Sequence, residues 1–242
     1  MKQFAIKRFN EFEVFGVDAS FTNSALWMVI AISVVTLFFL LATGKRTLVP
    51  SRMQSMAELA YEFIAGTVRQ NVGTEGMKYF PLIFALFMFV LACNVLGMIP
   101  YSFTVTSHII VTFALAAMVF IVVTVVGFIR HGLGYFKLFA PDGVPTVLLP
   151  IIFPIELVSY LMRPVSLSVR LFANMLAGHA VLKVFASFVA ILSAVEFGVV
   201  GAIAPFGLML GLTALEFLVA VLQAYVFTVL TCIYLHDAIH LH

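Results

Sequence analysis

Charge is scarce in this sequence. Asp, Glu, Lys and Arg supply 10% of its 242 residues while 63% are hydrophobic, where an ordinary soluble domain carries about 25% charged and about 45–50% apolar residues. That balance excludes a water-soluble globular protein. The net charge of +2 is too small, and the cations too dispersed, for a nucleic-acid surface. Cysteine is almost absent: Cys93 and Cys232 each sit inside an apolar run, which suits buried free thiols better than a disulfide or a metal pair. Several chemical motifs are missing as well. There is no Gly-x-Ser-x-Gly elbow, no His-Glu-x-x-His helix and no glycine-rich phosphate loop ending in Lys-Ser/Thr. Hydrolase, metalloprotease and nucleotide-binding readings lose their main support, and neither metal nor cofactor is expected. The first twenty residues, MKQFAIKRFNEFEVFGVDAS, lack the apolar core and small-residue cleavage site of a secretory signal.

Long apolar runs are what the chain has in place of charge. Mean hydropathy is +1.16, and a bilayer-spanning helix needs roughly 20 mostly apolar residues. Residues 24–42, 79–99 and 109–129 meet that length, the last two forming a hairpin through a short hydroxyl-rich connection at 100–108. Residues 50–72 alternate Met53, Met56, Ile64 and Val68 with Arg52, Glu58, Glu62 and Arg69, an amphipathic pattern for a helix on the membrane surface or against a partner. After a turn signal at Pro141-Asp142-Gly143, two stretches at 144–192 and 205–235 are too long for upright crossings, and strong tilt is expected. Pro145, Pro150, Pro154 and Pro164 should bend or interrupt the first of them. The expected fold is therefore all-α and polytopic: one membrane domain over 1–242 with about five inserted helical segments, one interfacial helix and an N-terminal segment at 1–23. Segments near 43–78 and 130–145 hold Lys45, Arg46, Arg52, Arg69, Lys78, Arg130 and Lys137, whereas the connections near 100–108 and 194–204 hold no Lys or Arg. The positive-inside rule then puts the N-terminus outside and the C-terminus in the cytoplasm.

An ionisable side chain at the bilayer centre costs at least a few kcal/mol, so each needs a partner, a water-filled cavity or a function. The C-terminal half concentrates such residues. At about 100° per residue, Arg170 shares a helix face, within about 40°, with Glu156, Ser159, Arg163, Ser166 and Asn174, while His179 falls about 180° away. In the last stretch Glu216, Gln223 and Tyr234 share a stripe, with Thr213 on its flank. Two polar faces on one membrane helix suit a conductor: one meets a partner, the other lines a water path. Other positions stay open. Arg163 and Lys183 suit snorkelling or capping as well as function, Asn94 suits helix packing or a channel lining, and His236 with His240 suits a solvated tail or a metal pair.

The stretch PVSLSVRLFANMLAGH at 164–179 closely resembles the signature helix of subunit a of F-type ATP synthases, and QAYVFTVLT at 223–231 resembles that family's terminal-helix motif. The order of elements is similar along nearly the whole chain. The resemblance implies a proton-conducting stator subunit that offers two offset half-channels to the carboxylates of a rotating ring of c subunits. On it, Arg170 is the arginine facing that ring, His179 and Glu216 line the inlet half-channel, Asn174 and Gln223 are polar positions near the arginine, and Glu156 belongs to the cytoplasmic exit. In some bacterial relatives the acid and the histidine are exchanged, which leaves open which of His179 and Glu216 hands the proton on. Implied partners are the c-ring, the peripheral-stalk b subunits and the remaining synthase subunits, in lipid, with no nucleic acid. The implied location is a bacterial inner membrane, an organelle's inner membrane being compatible too. Two rivals are weaker: a membrane hydrolase using Ser166 or Ser168 with His179 gives the intramembrane arginine no role, and a rotor-free transporter would favour paired internal repeats, whereas these halves are dissimilar.

Overall fold

The computed structural model describes residues 8–10, 13–14, 17–18, 21–44, 50–99, 102–139, 148–194 and 198–240. The expected turn at Pro141-Asp142-Gly143, Pro145, and the cations Lys2, Lys7, Lys45 and Arg46 lie outside these residues. Near the N-terminus, β1 (Arg8–Asn10) pairs antiparallel with β4 (Phe21–Thr22), and β2 (Glu13–Val14) with β3 (Val17–Asp18). The described elements that follow are all helical: α1 (Asn23–Thr43), α2 (Arg52–Asn71), α3 (Phe80–Gly97), α4 (Ile109–His131), α5 (Leu149–Ala194) and α6 (Gly198–Ile239), with 3-10 turns at Thr74–Tyr79, Val105–Ser107 and Gly132–Phe139. The fold is all-α, and five of its helical segments, all but α2, are long and apolar enough to cross a membrane.

Local chemistry sets the helix ends. Thr22 and Ser51 accept the backbone N–H of Ala25 and Gln54 at 3.3 Å each, capping α1 and α2. Gly132 ends α4 at φ 55°, a left-handed backbone that glycine adopts without strain. Within α1 the hydroxyls of Ser33, Thr36 and Thr43 donate to carbonyls one turn back, so these polar groups are satisfied in a setting without water.

Pro154 and Pro164 lie inside a continuous α5 of 46 residues, where the sequence predicts a bend or an interruption. The hydroxyls of Ser166 and Ser168 donate to the carbonyls of Arg163 and Val165, on either side of Pro164. Pro164 itself lacks the N–H that would reach the Tyr160 carbonyl one turn back, so these two bonds flank the proline without replacing the one it removes. The last helix likewise starts at Gly198, ahead of the expected 205, with Pro205 absorbed into its interior.

Helix α6 is the hub, packing against α2, α3, α4 and α5. Ile64, Val68, Ile83, Val90, Val119, Leu167, Leu171 and Phe227 fill the fully buried core. Asn94, also fully buried, donates to the carbonyl of Ala220 at 3.0 Å and so fastens α3 to α6. Helix α2 buries Ala57, Ile64, Ala65 and Val68 and leaves Met53, Met56, Leu59 and Phe63 exposed, so its apolar residues are divided between the helical core and the surroundings.

At the opposite end from the 100–108 connection, a hydroxyl chain ties three segments together: Thr124 to Tyr160 at 2.5 Å and Tyr160 to Tyr135 at 2.9 Å. Burial and the Tyr160 hydrogen bond push the Tyr135 phenol up, so it remains a protonated member of that chain. A Cβ added at Gly127 would stand 2.2 Å from the Tyr135 ring. Gly127→Ala is therefore expected to displace the ring and lower stability by about 1–3 kcal/mol. An earlier thermal unfolding of the solubilised subunit would show it, and an unchanged transition would mean that the ring moves freely.

Candidate functional site

The exposed face of α5 carries Ser159, Ser166, Arg170, Asn174 and Ala177. Among the described residues Arg170 has no ion pair and no hydrogen-bond partner within the chain, although it lies 21 residues into an apolar helix that begins at Leu149. Arg163, expected on this same face, is turned away. Its guanidinium pairs with Asp237 of α6 at 3.0 Å and lies 5.3 and 5.1 Å from the ring centroids of Tyr160 and Tyr234. An arginine of this length reaches across a helix contact, where a carboxylate and two aromatic faces replace its lost water. Glu156 is half-buried and about 21 Å along the helix from Arg170, so it is not gathered into the cluster described next.

His179 points from the other side of α5 into the helical bundle. Its Nδ1 is 2.5 Å from Oε1 of Glu216, and its Nε2 is 2.9 Å from both the Gly97 carbonyl and the Thr104 hydroxyl. Glu216 is buried, at 6% exposure. A Cβ at Gly178 would stand 2.6 Å from Oε1 of Glu216, so the glycine before the histidine is what lets the carboxylate approach. Five residues before His179, Asn174 donates from Nδ2 to Oε1 of buried Gln223 at 2.7 Å. The structure thus brings together His179 with Glu216 and Asn174 with Gln223, all across the α5–α6 contact.

Two cavities meet at Glu216. One of about 320 Å³ is lined by Ser102, His179, Lys183, Thr213 and Glu216 among others. A second, of about 190 Å³, is lined by Asn174, Gly178, Val181, Leu212 and Glu216 among others. His179 borders the first alone, whereas Glu216 borders both. A larger groove of about 510 Å³ between α1 and α3 has an apolar lining with no ionisable side chain. No group of three or more His, Cys, Asp or Glu side chains able to hold a metal occurs among the described residues.

Gly97, Thr104 and Gly178 escape sequence reasoning as site residues. Gly178 leaves a trace, since a mid-helix glycine costs about 1 kcal/mol relative to alanine and calls for a packing reason. Thr104 leaves none, because its partner is 75 residues away.

Comparison with known proteins identifies the family. Residues 25–236 match the family described as ATP synthase A chain. The chain is 58% identical to the ATP synthase subunit a of Rhodospirillum rubrum over 242 residues, covering 100% of this chain and 98% of that protein. It is 58% identical to that of Mesorhizobium japonicum over 239 residues, covering 98% and 95%, and 57% identical to that of Rhizobium meliloti over 239 residues, covering 98% and 96%. A family match over most of the chain, joined to relatives alike along their full lengths, makes this chain a member of the ATP synthase A chain family.

Proposed function

We propose that the chain is the proton-conducting stator subunit of an F-type ATP synthase, carrying protons to and from the carboxylates of a c-ring through two offset half-channels. The observation that carries this reading is the division of α5: an exposed Arg170 with no ion pair among the described residues on one face, and a part-buried His179 paired with buried Glu216 beside two cavities on the other. A cation that no carboxylate among the described residues neutralises, at membrane depth, calls for an acid on another polypeptide.

The geometry supports the following proton path. A proton from the outer compartment reaches the cavity beside Ser102, Lys183 and Thr213 and is taken up by the His179–Glu216 pair. Glu216 hands it on, because Glu216 alone of the two borders the cavity that also meets Asn174. Asn174, held by Gln223, stands one turn from Arg170 on the exposed face. There the proton passes to a c-ring carboxylate. After a turn of the ring, the guanidinium, whose charge is permanent, favours the ionised carboxylate and releases the proton toward the exit past Glu156. The same fixed charge blocks direct passage between the half-channels.

Length supports a ring-facing role. Helix α5 is about 69 Å long at 1.5 Å per residue, against a hydrocarbon core of about 30 Å, so it inclines strongly and offers an extended flank to a rotor. One proton crossing 100 mV releases about 2.3 kcal/mol, so several must be coupled through rotation for each ATP made. The remaining synthase subunits, including the b subunits of the peripheral stalk, are the other partners. The location is a bacterial inner membrane, with the N-terminus outside and the C-terminus in the cytoplasm by the distribution of Lys and Arg.

Reconstitution separates this reading from a self-sufficient transporter. In vesicles, the chain alone should conduct no protons, and the chain with its c-ring and stalk subunits should conduct them. Steady proton flux through the chain alone would overturn the stator reading.

A further inference from the structure

Resting on the proton path above, the geometry points to the α3–α4 connection as a working part of the relay: Thr104 and the Gly97 carbonyl hold His179 with its Nε2 protonated, confining the mobile proton to the Nδ1 side that faces Glu216. A carbonyl oxygen only accepts hydrogen bonds. With the Gly97 oxygen 2.9 Å from His179 Nε2, that nitrogen carries the hydrogen in both the neutral and the charged ring. Thr104 donates its own hydroxyl hydrogen to the same carbonyl at 3.2 Å and presents a lone pair to His179 Nε2 at 2.9 Å. Ser102 donates to it as well, at 3.0 Å. Three donors therefore converge on one oxygen.

This oxygen is available because Gly97 is the last residue of α3, where carbonyls have run out of helical N–H partners. The aligned peptide dipoles leave partial negative charge at that helix end, so the ring stands between it and the Glu216 carboxyl. The connection is built inward to reach it. Ser102, Thr104, Thr106 and Ser107 are all buried, with exposures of 6% or less, whereas connecting segments ordinarily run over the surface. Gly97 completes the fit: a Cβ there would stand 2.8 Å from Cγ2 of Thr104.

The consequence is directional. With Nε2 held, the ring exchanges its mobile proton only at Nδ1, 2.5 Å from Glu216. Thr104 is thus a positioning residue for the relay. Without its hydroxyl, the ring is free to turn and present the wrong nitrogen.

The test is ATP-driven proton uptake by vesicles carrying the assembled complex, with subunit content checked for each variant. Thr104→Val keeps the shape and removes the hydroxyl, and should cut uptake about tenfold, the order expected for loss of one hydrogen bond to a charged group. Thr104→Ser keeps the hydroxyl and should stay near wild type. Gly97→Ala should be impaired, and Gly97→Ala with Thr104→Ser should recover, because serine lacks the clashing Cγ2. Normal uptake in Thr104→Val with loss in Thr104→Ser would show a packing role and overturn the inference. Glu216→Gln serves as the reference: if it pumps normally, the relay itself falls, independently of Thr104. Nitrogen-15 NMR of histidine-labelled wild-type complex, with His179 assigned by difference against His179→Gln, needs no Thr104 variant to fold. A protonated Nε2 on neutral His179 is expected, and a bare Nε2 would overturn the inference.

Discussion

Arg170→Ala is expected to abolish ATP-driven proton uptake by inverted membrane vesicles while the complex still assembles. The side chain is exposed and makes no ion pair or hydrogen bond among the described residues, so its removal leaves no buried group unpaired and takes nothing from the helical core. What is lost is the fixed charge at the rotor face, and with it both the release of the ring's protons and the barrier between the half-channels. The drop should be at least about a hundredfold, since each factor of ten needs only about 1.4 kcal/mol and an uncompensated charge at membrane depth is worth more. Arg170→Lys should recover little, because an ammonium in a poor solvent sheds its proton, which guanidinium does not. Unchanged pumping in the alanine variant would return Arg170 to a structural role and sink the stator assignment.

Glu216→Gln should have the next largest effect, a fall of at least about tenfold in uptake, in line with the loss of an essential acid–base group. The amide keeps the size and hydrogen-bonding reach of the carboxyl but exchanges no proton at working pH. Exchanging the pair, His179→Glu with Glu216→His, should restore part of the rate, since the two side chains meet across the same contact and each type can carry a proton. The position beside both cavities is what matters, so His179→Gln with Glu216 intact should be the milder single change. Equal rates for Glu216→Gln and wild type would break the path at its central step.

Helical arithmetic made much of this legible from the sequence. The separation of nine residues between Arg170 and His179 is two and a half turns, which places them on opposite faces of α5 whatever surrounds them. Lengths of apolar text gave α1, α3 and α4, because a bilayer sets one length for all spans. The prolines misled, interrupting neither long helix: Pro154 and Pro164 lie within a continuous α5 and Pro205 within α6. Arg163 misled for a different reason: a face is a property of Cα positions, whereas a guanidinium reaches about 6–7 Å from its backbone and finds Asp237 and two tyrosines on α6. The contacts of Thr104 and Gly97 with His179 join residues 75 and 82 apart in the chain, and no local period encodes them.

The central place of α6 bears on how the protein is made. Translation delivers this helix after α1 to α5, yet it supplies the carbonyl that Asn94 binds, the carboxylate facing His179, the amide facing Asn174 and the carboxylate paired with Arg163. Until it arrives, a nascent chain already in the bilayer carries four polar side chains still waiting for these partners. Such an intermediate is costly in lipid, so docking of α6 stabilises helices already inserted. The arrival of α6 is thus the step at which these four side chains, made before it, acquire their partners.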